Sequence, residues 1–410
     1  MNILFLTIAF PETIADRNLY TDMVQELKDR GNEVYVVTAR ERRQGKRTEL
    51  RMEGGLHVLR VRTWNLQKTH LIEKGMATLL IERQFMAAIR GYFRNVRFDL
   101  VLYSTPPVTF EEVIRYVKKR DQALSYLMLK DIFPQNAVDI GLMKDGGVVH
   151  RYFRAKEKRL YHVSDRIGCM SGANVKYVVT HNRFEKPKVV ELCPNSIRPA
   201  AAEKSGSGKK LTRELYGIPQ DAVVFVYGGN FGKPQGIDFL MQVLESHKDR
   251  EGLYFLLVGS GTEYGSLKNH IDKTGYRNVS LRPFVPRDDY NALLSACDVG
   301  MIFLDRRFTV PNFPSRLLNY MELSLPIIAA TDTSSDLGEV MAKGKFGLWS
   351  KSGDLIAFNK NLDLFSSDGQ LRECMGKKAR EYLEQNYHVS KCCDIIVNHI
   401  GEVAKTNVQG

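Results

Sequence analysis

The strongest constraint on the fold of this chain is the alternation of short apolar runs with amphipathic segments along its length. Apolar runs between helical patterns are typical of strands in a mostly parallel, doubly wound α/β sheet. With 410 residues, the chain is long enough for two domains of ordinary size. The predicted strands are Ile3–Ile8, Glu33–Thr38, His57–Val61, Leu100–Ser104, Ser125–Leu129, Arg166–Cys169, Val189–Leu192, Val223–Tyr227, Tyr254–Val258, Val279–Leu281, Val299–Phe303, Pro326–Ala330 and Phe346–Trp349.

A small, polar segment interrupts this pattern near the middle of the chain. The residues of Ala200–Lys210 are alanine, glycine, serine, lysine and glutamate, a composition typical of a flexible inter-domain linker. The last helical pattern, Lys377–Val403, is long enough to run back to the first domain. The predicted organisation is an N-terminal domain over 1–198, a linker over 199–212, a C-terminal domain over 213–375 and a returning helical segment over 376–410.

The net charge of +12 is confined to the first half of the chain. Residues 1–198 contain 34 Lys and Arg against 22 Asp and Glu, whereas 199–410 contain 25 of each. This segregation indicates an anionic partner for the first half, either membrane headgroups or nucleic acid. Solubility alone does not explain why the excess is on one side. Within this half, Arg40–Arg51 is dense in charge and has no apolar face, so it is predicted to be a solvated loop.

The segment His70–Phe98 interleaves aliphatic and aromatic side chains with arginine and lysine. Such a composition is typical of a helix that lies in a membrane interface. A helix packed on its own sheet would show the same pattern. The sequence leaves both alternatives open.

Several classes of protein are not expected. No run approaches the ~20 apolar residues that a membrane-spanning helix requires. The N-terminus, MNILFLTIAF, has no basic region and is predicted to be the first strand rather than a signal peptide. The six cysteines are scattered without a Cys-x-x-Cys pair, which argues against zinc and against a disulfide framework. We therefore expect reduced thiols in a cytoplasmic protein.

Glycine-bearing turns follow two predicted strands of the second half. The first turn contains Gly228 and Gly229, and the second contains Gly259 and Gly261. Glycine lets backbone N–H groups approach a phosphate closely, and the carboxyl ends of parallel strands share one edge of the sheet. Such turns are common in α/β proteins, so each one alone is weak evidence.

The segment Val310–Asp332 is predicted to form a loop, a short helix that begins near Ser315 and a buried strand. A helix start with free N–H groups binds anions, and Arg316 adds a cation with a bidentate fork. Asn319 lies one turn later. These features predict a cradle for a diphosphate joined to a ribose. The alternative is an ordinary helix–strand unit.

An ordered set of motifs runs through the chain: Asp131–Pro134, Cys193–Ser196, Gly229–Gly236, Phe255–Gly261, Pro283–Arg287, Ala296–Asp298, Pro314–Met321 and Leu325–Pro326. Together they resemble the retaining nucleotide-sugar glycosyltransferases of family 4. The resemblance covers essentially the whole chain. It is closest to the bacterial branch that makes O-antigen and capsular polysaccharide, including N-acetylfucosaminyltransferases. It implies the GT-B fold, in which two doubly wound Rossmann-like domains face a central cleft.

The resemblance implies that the second half binds a UDP-sugar, with no divalent metal and no further cofactor. Arg316 would supply charge to the phosphates, and the turn at Gly229 would approach the diphosphate. Phe284 and Val285 would flank the uracil. The candidate donor-binding residues are Gly228, Gly229, Asn230, Gln235, Gly236, Gly259, Gly261, Glu263, Phe284, Val285, Ser315, Leu317, Leu318 and Asn319.

The chain departs from the family pattern in the same region. The two glutamates of the family's E-x7-E motif are Pro311 and Asn319 here, and an amide binds a ribose diol more weakly than a carboxylate does. Asn230 and Gln235 stand where the family often has Arg and Lys. These departures motivate an alternative function, a catalytically degenerate GT-B protein that serves as a binding scaffold in a polysaccharide assembly complex.

The chemistry that the resemblance implies is departure of UDP from an anomeric carbon while an acceptor hydroxyl approaches. Negative charge grows on the leaving group, so preorganised positive charge is the main catalytic device. The family mechanism retains the anomeric configuration, with a donor phosphate oxygen taking the acceptor proton. Our candidate catalytic residues are Arg316, Asp16 and Asp131. For each aspartate, a helix cap or an ion pair is the alternative role.

The sequence thus predicts an enzyme peripherally associated with the inner face of the plasma membrane. It would move an N-acetylated hexosamine or deoxyhexosamine from a UDP-sugar to a lipid-linked or oligosaccharide acceptor. A UDP-N-acetylhexosamine epimerase shares the architecture, but the basic first half and the ordered motifs favour the transferase. Nucleic-acid binding is not expected, because the basic residues are spread over an α/β domain without a recognisable nucleic-acid module.

Overall fold

The computed structural model describes residues 1–66, 71–184, 188–200, 206–283, 285 and 287–406. The chain divides into two compact units. The N-terminal unit comprises Met1–Arg198 and the chain from Val389 onwards, and the C-terminal unit comprises Pro199–His388. The chain therefore leaves the N-terminal unit and returns to it after the whole of the C-terminal unit.

The first 198 residues of the N-terminal unit alternate strands and helices. The strands are β1 (Asn2–Thr7), β2 (Glu33–Glu41), β3 (Glu49–Glu53), β4 (Leu56–Thr63), β5 (Leu100–Ser104), β6 (Leu124–Leu129), β7 (Arg166–Cys169) and β8 (Val189–Leu192). The helices are α1 (Leu19–Asp29), α2 (Leu71–Tyr92), α3 (Glu111–Asp121), α4 (Gln135–Asp139), α5 (Val148–Val163) and α6 (Gly172–His181).

These strands form one sheet in the order β3-β4-β2-β1-β5-β6-β7-β8. All its pairings are parallel except that of the edge strand β3, which runs antiparallel to β4. β5 is buried at every position, and β1 at all but its first. A parallel sheet covered on both faces requires such continuous apolar runs.

The C-terminal unit repeats the alternation. Its strands are β9 (Val223–Asn230), β10 (Leu253–Ser260), β11 (Val279–Arg282), β12 (Val299–Phe303), β13 (Ile327–Thr331) and β14 (Gly347–Lys351). Its helices are α7 (Gly206–Leu215), α8 (Ile237–Ser246), α9 (Tyr264–Thr274), α10 (Arg287–Ser295), α11 (Arg316–Glu322), α12 (Leu337–Gly344), α13 (Leu355–Ser367) and α14 (Gly369–Asn386). The sheet is parallel, with the order β11-β10-β9-β12-β13-β14.

The last helix, α15 (Val389–Thr406), completes the core of the N-terminal unit. Its Val389, Cys392 and Ile396 belong to the same buried cluster as Met23 and Val24 of α1. The backbone N–H of Val389 donates to the carbonyl of Ile197 over 2.9 Å, so the returning chain is bonded to the departing one. Apolar residues on one face of each helix drive this packing.

All thirteen predicted strands overlap strands of the structure. The solvated loop predicted over Arg40–Arg51 is wrong in part, because β2 continues to Glu41 and β3 begins at Glu49. β3 is an edge strand whose side chains are exposed or half-buried, so it needs no apolar face. The predicted helix Lys377–Val403 is two helices, separated at 387–388. The segment predicted as a linker contains the first part of α7, Gly206–Leu215.

The helix α2 uses its apolar face within its own unit. Ile81, Phe85 and Ile89 are fully buried, and the Phe85 ring lies 4.9 Å from the ring of Phe110. Arg83 and Arg90 are on the exposed side. Of the two alternatives for this segment, the structure shows the helix packed on its own unit. Met76, Leu79 and Tyr92 of the same helix remain exposed.

Candidate functional site

The candidate phosphate-binding residues lie at the carboxyl ends of the central strands of the C-terminal unit. Gly229 in β9 pairs in register with Gly259 in β10. β12 lies on the other side of β9, and the chain passes from β12 to α11. Ligands of doubly wound sheets bind beyond the carboxyl ends of the strands, so this edge is the candidate site.

Arg316, the first residue of α11, lies at this edge. Its guanidinium carbon is 4.2 Å from the centroid of the Tyr227 ring. Gly229 has a φ of +120°, and a Cβ built on it would lie 3.8 Å from the same guanidinium carbon. The guanidinium therefore lies over an aromatic face and beside the exposed backbone of Gly229.

Aromatic side chains stabilise the positive charge of Arg316. Its Nη1 is buried and has no hydrogen-bond partner among the described residues. Burial opposes the charge, but the oxygens of Tyr227, Tyr320 and Tyr290 outweigh it and raise the pKa of Arg316. Within the described ranges, no carboxylate forms an ion pair with this guanidinium. A cation stabilised by rings and phenols, without a carboxylate, retains its attraction for an incoming anion.

Tyr320 fixes α11 to the middle of the sheet. Its hydroxyl accepts from the N–H of Gly228 over 3.1 Å and lies 3.2 Å from the carbonyl of Met301. Its ring packs on Gly300, where a Cβ would lie 2.5 Å from the ring carbons. Burial raises the pKa of Tyr320 well above its usual value. Because Arg316 is one helical turn earlier, this anchor sets the position of the guanidinium.

The glycines of this edge make close approaches within the protein. A Cβ on Gly228 would overlap the hydroxyl of Tyr290, and a Cβ on Gly259 would overlap the carbonyl of Gly229. A Cβ on Gly261 would overlap the carbonyl of Phe231. Packing therefore accounts for these three glycines without a ligand. Gly229 differs, because its nearest neighbour in the Cβ direction is the guanidinium of Arg316.

A hydrogen-bonded turn follows β9. The side-chain oxygen of Gln235 accepts from Asn230 Nδ2 and from the N–H of Gly232, both over 3.1 Å. Gly236 closes the turn with a φ of +56° and packs against Leu304, whose carbonyl would lie 3.1 Å from a Cβ. The amide pair of Asn230 and Gln235 thus holds the turn in shape. Asn230 itself is exposed.

The predicted amide donors at the start of α11 are partly occupied. The N–H of Leu317 donates to the carbonyl of Pro314 over 3.3 Å, and that of Leu318 donates to Ser315 over 3.1 Å. Ser315 is exposed, and its side chain does not cap the helix. Asn319 is half-buried, and its side chain has no hydrogen-bond partner in the part of the chain that the structure describes. The side chain of Arg316 is therefore the strongest candidate for binding an anion at this turn.

Two of the remaining donor-site candidates, Glu263 and Val285, follow β10 and β11 in the chain. Glu263 precedes α9, and its N–H donates to the carbonyl of Phe231 over 2.8 Å. Val285 is half-buried. Phe284 lies outside the described residues. The roles of these three residues stay predictions.

In the N-terminal unit, Asp131 lies just beyond β6, at the same edge as the ends of β5 and β1. Its N–H and that of Lys130 donate to Thr105 Oγ1 over 3.2 and 2.9 Å. Burial raises the pKa of Asp131 to about 6. Burial also raises the pKa of Tyr20 to about 12, with a contribution from the charge of Asp131. A carboxyl group with this pKa can accept a proton from a bound hydroxyl near neutral pH.

The other N-terminal candidates differ in their surroundings. Asp16 is exposed, and its N–H donates to the carbonyl of Thr13 over 3.1 Å. Its neighbour Arg17 forms an ion pair with Asp22 at 3.0 Å and donates to the carbonyl of Arg198. Arg17 is thus a structural residue of this unit, and a catalytic role for Asp16 stays a prediction.

The three tyrosines around Arg316 are not among the site residues that the sequence predicts. Tyr320 is four residues after Arg316 in one helix, a spacing that could have indicated a contact. Tyr227 and Tyr290 come from β9 and α10, and nothing in their spacing places them at the guanidinium. Within the described ranges, no group of three or more His, Cys, Asp or Glu side chains could hold a metal ion. No described helix has the length and hydropathy that crossing a membrane requires.

Comparison with known proteins relates the part of the chain that contains this edge to a family of glycosyltransferases. Residues 209–382, which contain Arg316 and its tyrosines, match the family described as glycosyl transferases group 1. The chain is 16% identical to Anabaena HepE, solved with UDP-glucose, with a TM-score of 0.69 over 99% of this chain and 100% of that one. Its fold is therefore that of the GT-B glycosyltransferases, as the sequence predicted.

Two relatives with similar sequences are named as glycosyltransferases. The chain is 23% identical over 335 residues to "Probable glycosyltransferase WbjE" of Pseudomonas aeruginosa, covering 77% of this chain and 79% of the relative. It is also 23% identical over 253 residues to "Putative colanic acid biosynthesis glycosyl transferase WcaI" of Escherichia coli K12. That match covers 60% of this chain and 61% of WcaI. These matches support a glycosyltransferase role.

Proposed function

We propose that this protein is a retaining glycosyltransferase that uses a UDP-sugar and acts in bacterial surface polysaccharide synthesis. The observation that carries the proposal is the guanidinium of Arg316. It lies over Tyr227 and beside the exposed Gly229, and its Nη1 has no hydrogen-bond partner among the described residues. It also falls inside the segment that matches group 1 glycosyltransferases.

The placement of this cation suits a diphosphate leaving group. When the bond between the anomeric carbon and the diphosphate oxygen breaks, its electron pair stays on UDP. A fixed cation beside that oxygen stabilises the transition state more than the ground state, which is how charge preorganisation accelerates a reaction. Tyr320 and Tyr227 hold the guanidinium, so it need not reorganise as the charge develops.

Retention requires the acceptor oxygen to form its bond to the anomeric carbon on the face from which UDP leaves. The acceptor proton then passes to a phosphate oxygen of the departing UDP, so no separate base is required. We assign donor binding to the C-terminal unit and acceptor binding to the N-terminal unit. In that unit, Asp131 is our candidate for orienting an acceptor hydroxyl, because it follows the carboxyl end of β6, where ligands of parallel sheets bind.

The acceptor that we propose is a lipid-linked or oligosaccharide chain, presented at the inner face of the plasma membrane. The motivation is the excess of basic residues in 1–198, which contain 34 Lys and Arg but only 22 Asp and Glu. Exposed residues on α5, among them Arg151, Lys158 and Arg159, contribute to it. Each such cation near an anionic membrane is worth about 1 kcal/mol. The proposed sugar is an N-acetylated hexosamine or deoxyhexosamine, as the sequence resemblance implies.

A donor panel tests this function. Purified protein is incubated with individual UDP-sugars and a lipid-diphosphate-linked acceptor, and UDP release is measured beside direct binding of UDP. We expect one donor to be turned over faster than the others, with release stimulated by acceptor. Absence of both UDP binding and UDP release for the whole panel would overturn the proposal. UDP binding without any turnover would instead favour the scaffold function.

A further inference from the structure

Two thiols meet in the core of the N-terminal unit. Cys193 follows β8, and Cys392 is the fourth residue of α15. Their sulfur atoms are 3.3 Å apart although the residues are 199 positions apart in sequence. Both side chains are buried, with relative exposures of 0% and 4%. The distance is that of a hydrogen bond between a thiol and a second sulfur.

The pair lies where the chain leaves and re-enters its unit. The chain departs after Arg198 and returns at Val389, so the whole of the C-terminal unit lies between the two cysteines. The backbone hydrogen bond from Val389 to Ile197 joins the same two segments over 2.9 Å. A covalent bond between the thiols would therefore fasten the departing segment to the returning one.

We propose that Cys193 and Cys392 are an oxidisable dithiol, which a peroxide converts reversibly to a disulfide. Sulfur atoms in a disulfide are about 2 Å apart, so the thiols need approach each other by only a little more than about 1 Å. The two sulfur atoms are already in contact, with no side chain between them. This proposal is independent of the glycosyltransferase function.

The surroundings make Cys392 the attacking thiol. The hydrogen bond from Cys193 lowers the pKa of Cys392 below its usual value against the opposing effect of burial, with smaller contributions from Lys130 and Ser196. The position of Cys392 in the first turn of α15 also favours a thiolate. The hydrogen bond to Cys392 and burial raise the pKa of Cys193, so the shared proton stays on Cys193.

The reaction balances with hydrogen peroxide as the oxidant. The Cys392 thiolate attacks one peroxide oxygen, the O–O bond breaks, and a proton on the departing hydroxide gives water and a sulfenic acid. Cys193 then attacks the sulfenic sulfur, the S–S bond forms, and its proton leaves with the hydroxyl as a second water. Both sulfurs are oxidised and both peroxide oxygens are reduced. A dithiol reductant reverses the step by thiol–disulfide exchange.

The other cysteines provide internal controls. Cys393 is next to Cys392 in sequence, but its sulfur lies 3.8 Å from the carbonyl of Met23, and burial raises its pKa. Burial likewise raises the pKa of Cys169 and Cys297. Cys374 is exposed. Cys193 and Cys392 form the only sulfur–sulfur contact of this kind among the described residues.

Peptide mapping of the full-length protein tests the proposal. The reduced protein is treated with hydrogen peroxide, unfolded in the presence of a maleimide and digested. We expect a peptide that links 193 to 392, a fall in maleimide-reactive thiols that includes this pair, and recovery of both with dithiothreitol. Free thiols at both positions after treatment, or a bond mapped between 392 and 393, would overturn the proposal.

Two variants sharpen the test. In Cys393→Ser, the linked peptide should form as in the wild type, because the pair is untouched. In Cys193→Ser, oxidised Cys392 should instead be trapped as a sulfenic acid by dimedone, since the resolving thiol is absent. Failure of dimedone to label Cys392 while it labels Cys374 would refute Cys392 as the attacking thiol. If the serine variants do not fold, the mapping of the wild-type protein still decides.

Discussion

Removal of the Arg316 guanidinium is the most direct perturbation of the proposed donor site. Two unit charges about 4 Å apart attract by about 4 kcal/mol at the effective dielectric constant of about 20 that suits a partly buried pair. If about half a unit of charge develops as UDP departs, roughly 2 kcal/mol of this is gained only in the transition state. The rest is present when UDP-sugar is merely bound.

These magnitudes give an expected pattern of kinetic constants for Arg316→Ala. A loss of about 2 kcal/mol in the transition state alone lowers kcat by roughly 30-fold, and the remaining loss raises KM for the donor by a similar factor. Thus kcat/KM falls about 10³-fold. Arg316→Lys keeps the charge but loses the planar stack on Tyr227, so we expect a loss of about 10-fold.

The assay is steady-state UDP release over a range of donor concentrations, with thermal unfolding recorded for each variant. Arg277→Ala is the matched control, because its side chain is 85% exposed and belongs to the same unit. It should leave kcat/KM within about twofold of the wild-type value. The Arg316→Ala protein should unfold within about 1 kcal/mol of wild type, the size of a cation–π contact. If a folded Arg316→Ala protein kept a third of the wild-type kcat/KM, the electrostatic reasoning would be refuted.

Three further predictions concern stability, each followed by urea denaturation. Gly259→Ala should lower the free energy of unfolding by more than about 2 kcal/mol, because the glycine has a φ of +151° and a Cβ would overlap the carbonyl of Gly229. The control Gly265→Ala, with open space around its Cβ, should be neutral or slightly stabilising. Equal effects of the two substitutions would contradict the role of packing at Gly259. Tyr320→Phe should lower the free energy of unfolding by about 1–3 kcal/mol, because it removes the hydroxyl that contacts the buried N–H of Gly228 and the carbonyl of Met301. The control Tyr92→Phe, which removes an exposed hydroxyl, should lower it by less than about 0.5 kcal/mol. Asp131→Asn should change the way in which the free energy of unfolding depends on pH. The pKa of Asp131 in the folded protein is about 6, above the ordinary 3.8. The protonated carboxyl therefore stabilises the fold below about pH 4, and this stabilisation disappears as the pH rises through 6. Allowing for its partial exposure, the wild-type protein should lose about 1–2 kcal/mol relative to Asp131→Asn between pH 4 and pH 7, and parallel profiles would show that the carboxyl is not perturbed.

The fold could be predicted from the sequence to the extent that burial leaves a periodic trace. Strands such as β5 and β12 are buried at every position, so an apolar run marks them directly. β3 leaves no such trace, because an edge strand with exposed or half-buried side chains resembles a loop. The break between α14 and α15 is not marked by polar residues either, since Tyr387 and Val389 are both apolar and both buried.

The candidate site was predictable in its parts but not in its assembly. Glycine turns and Arg316 could be placed at the carboxyl edge because parallel strands share that edge. The direction of each side chain could not be inferred. Gly228 and Gly259 looked like phosphate ligands, whereas tyrosine and backbone packing account for both. The partners of Arg316 come from a strand and a second helix, and only folding brings them together.

The departure of the chain at Arg198 and its return at Val389 have a consequence for synthesis on the ribosome. Residues 1–198 are made before the C-terminal unit, but their core lacks Val389, Cys392 and Ile396, which pack in one cluster with Met23 and Val24, until α15 emerges. The C-terminal unit is contiguous and can fold as soon as it leaves the exit tunnel. The N-terminal unit is therefore completed after the C-terminal unit, and a chain that stops before α15 would expose an apolar surface to chaperones and proteases.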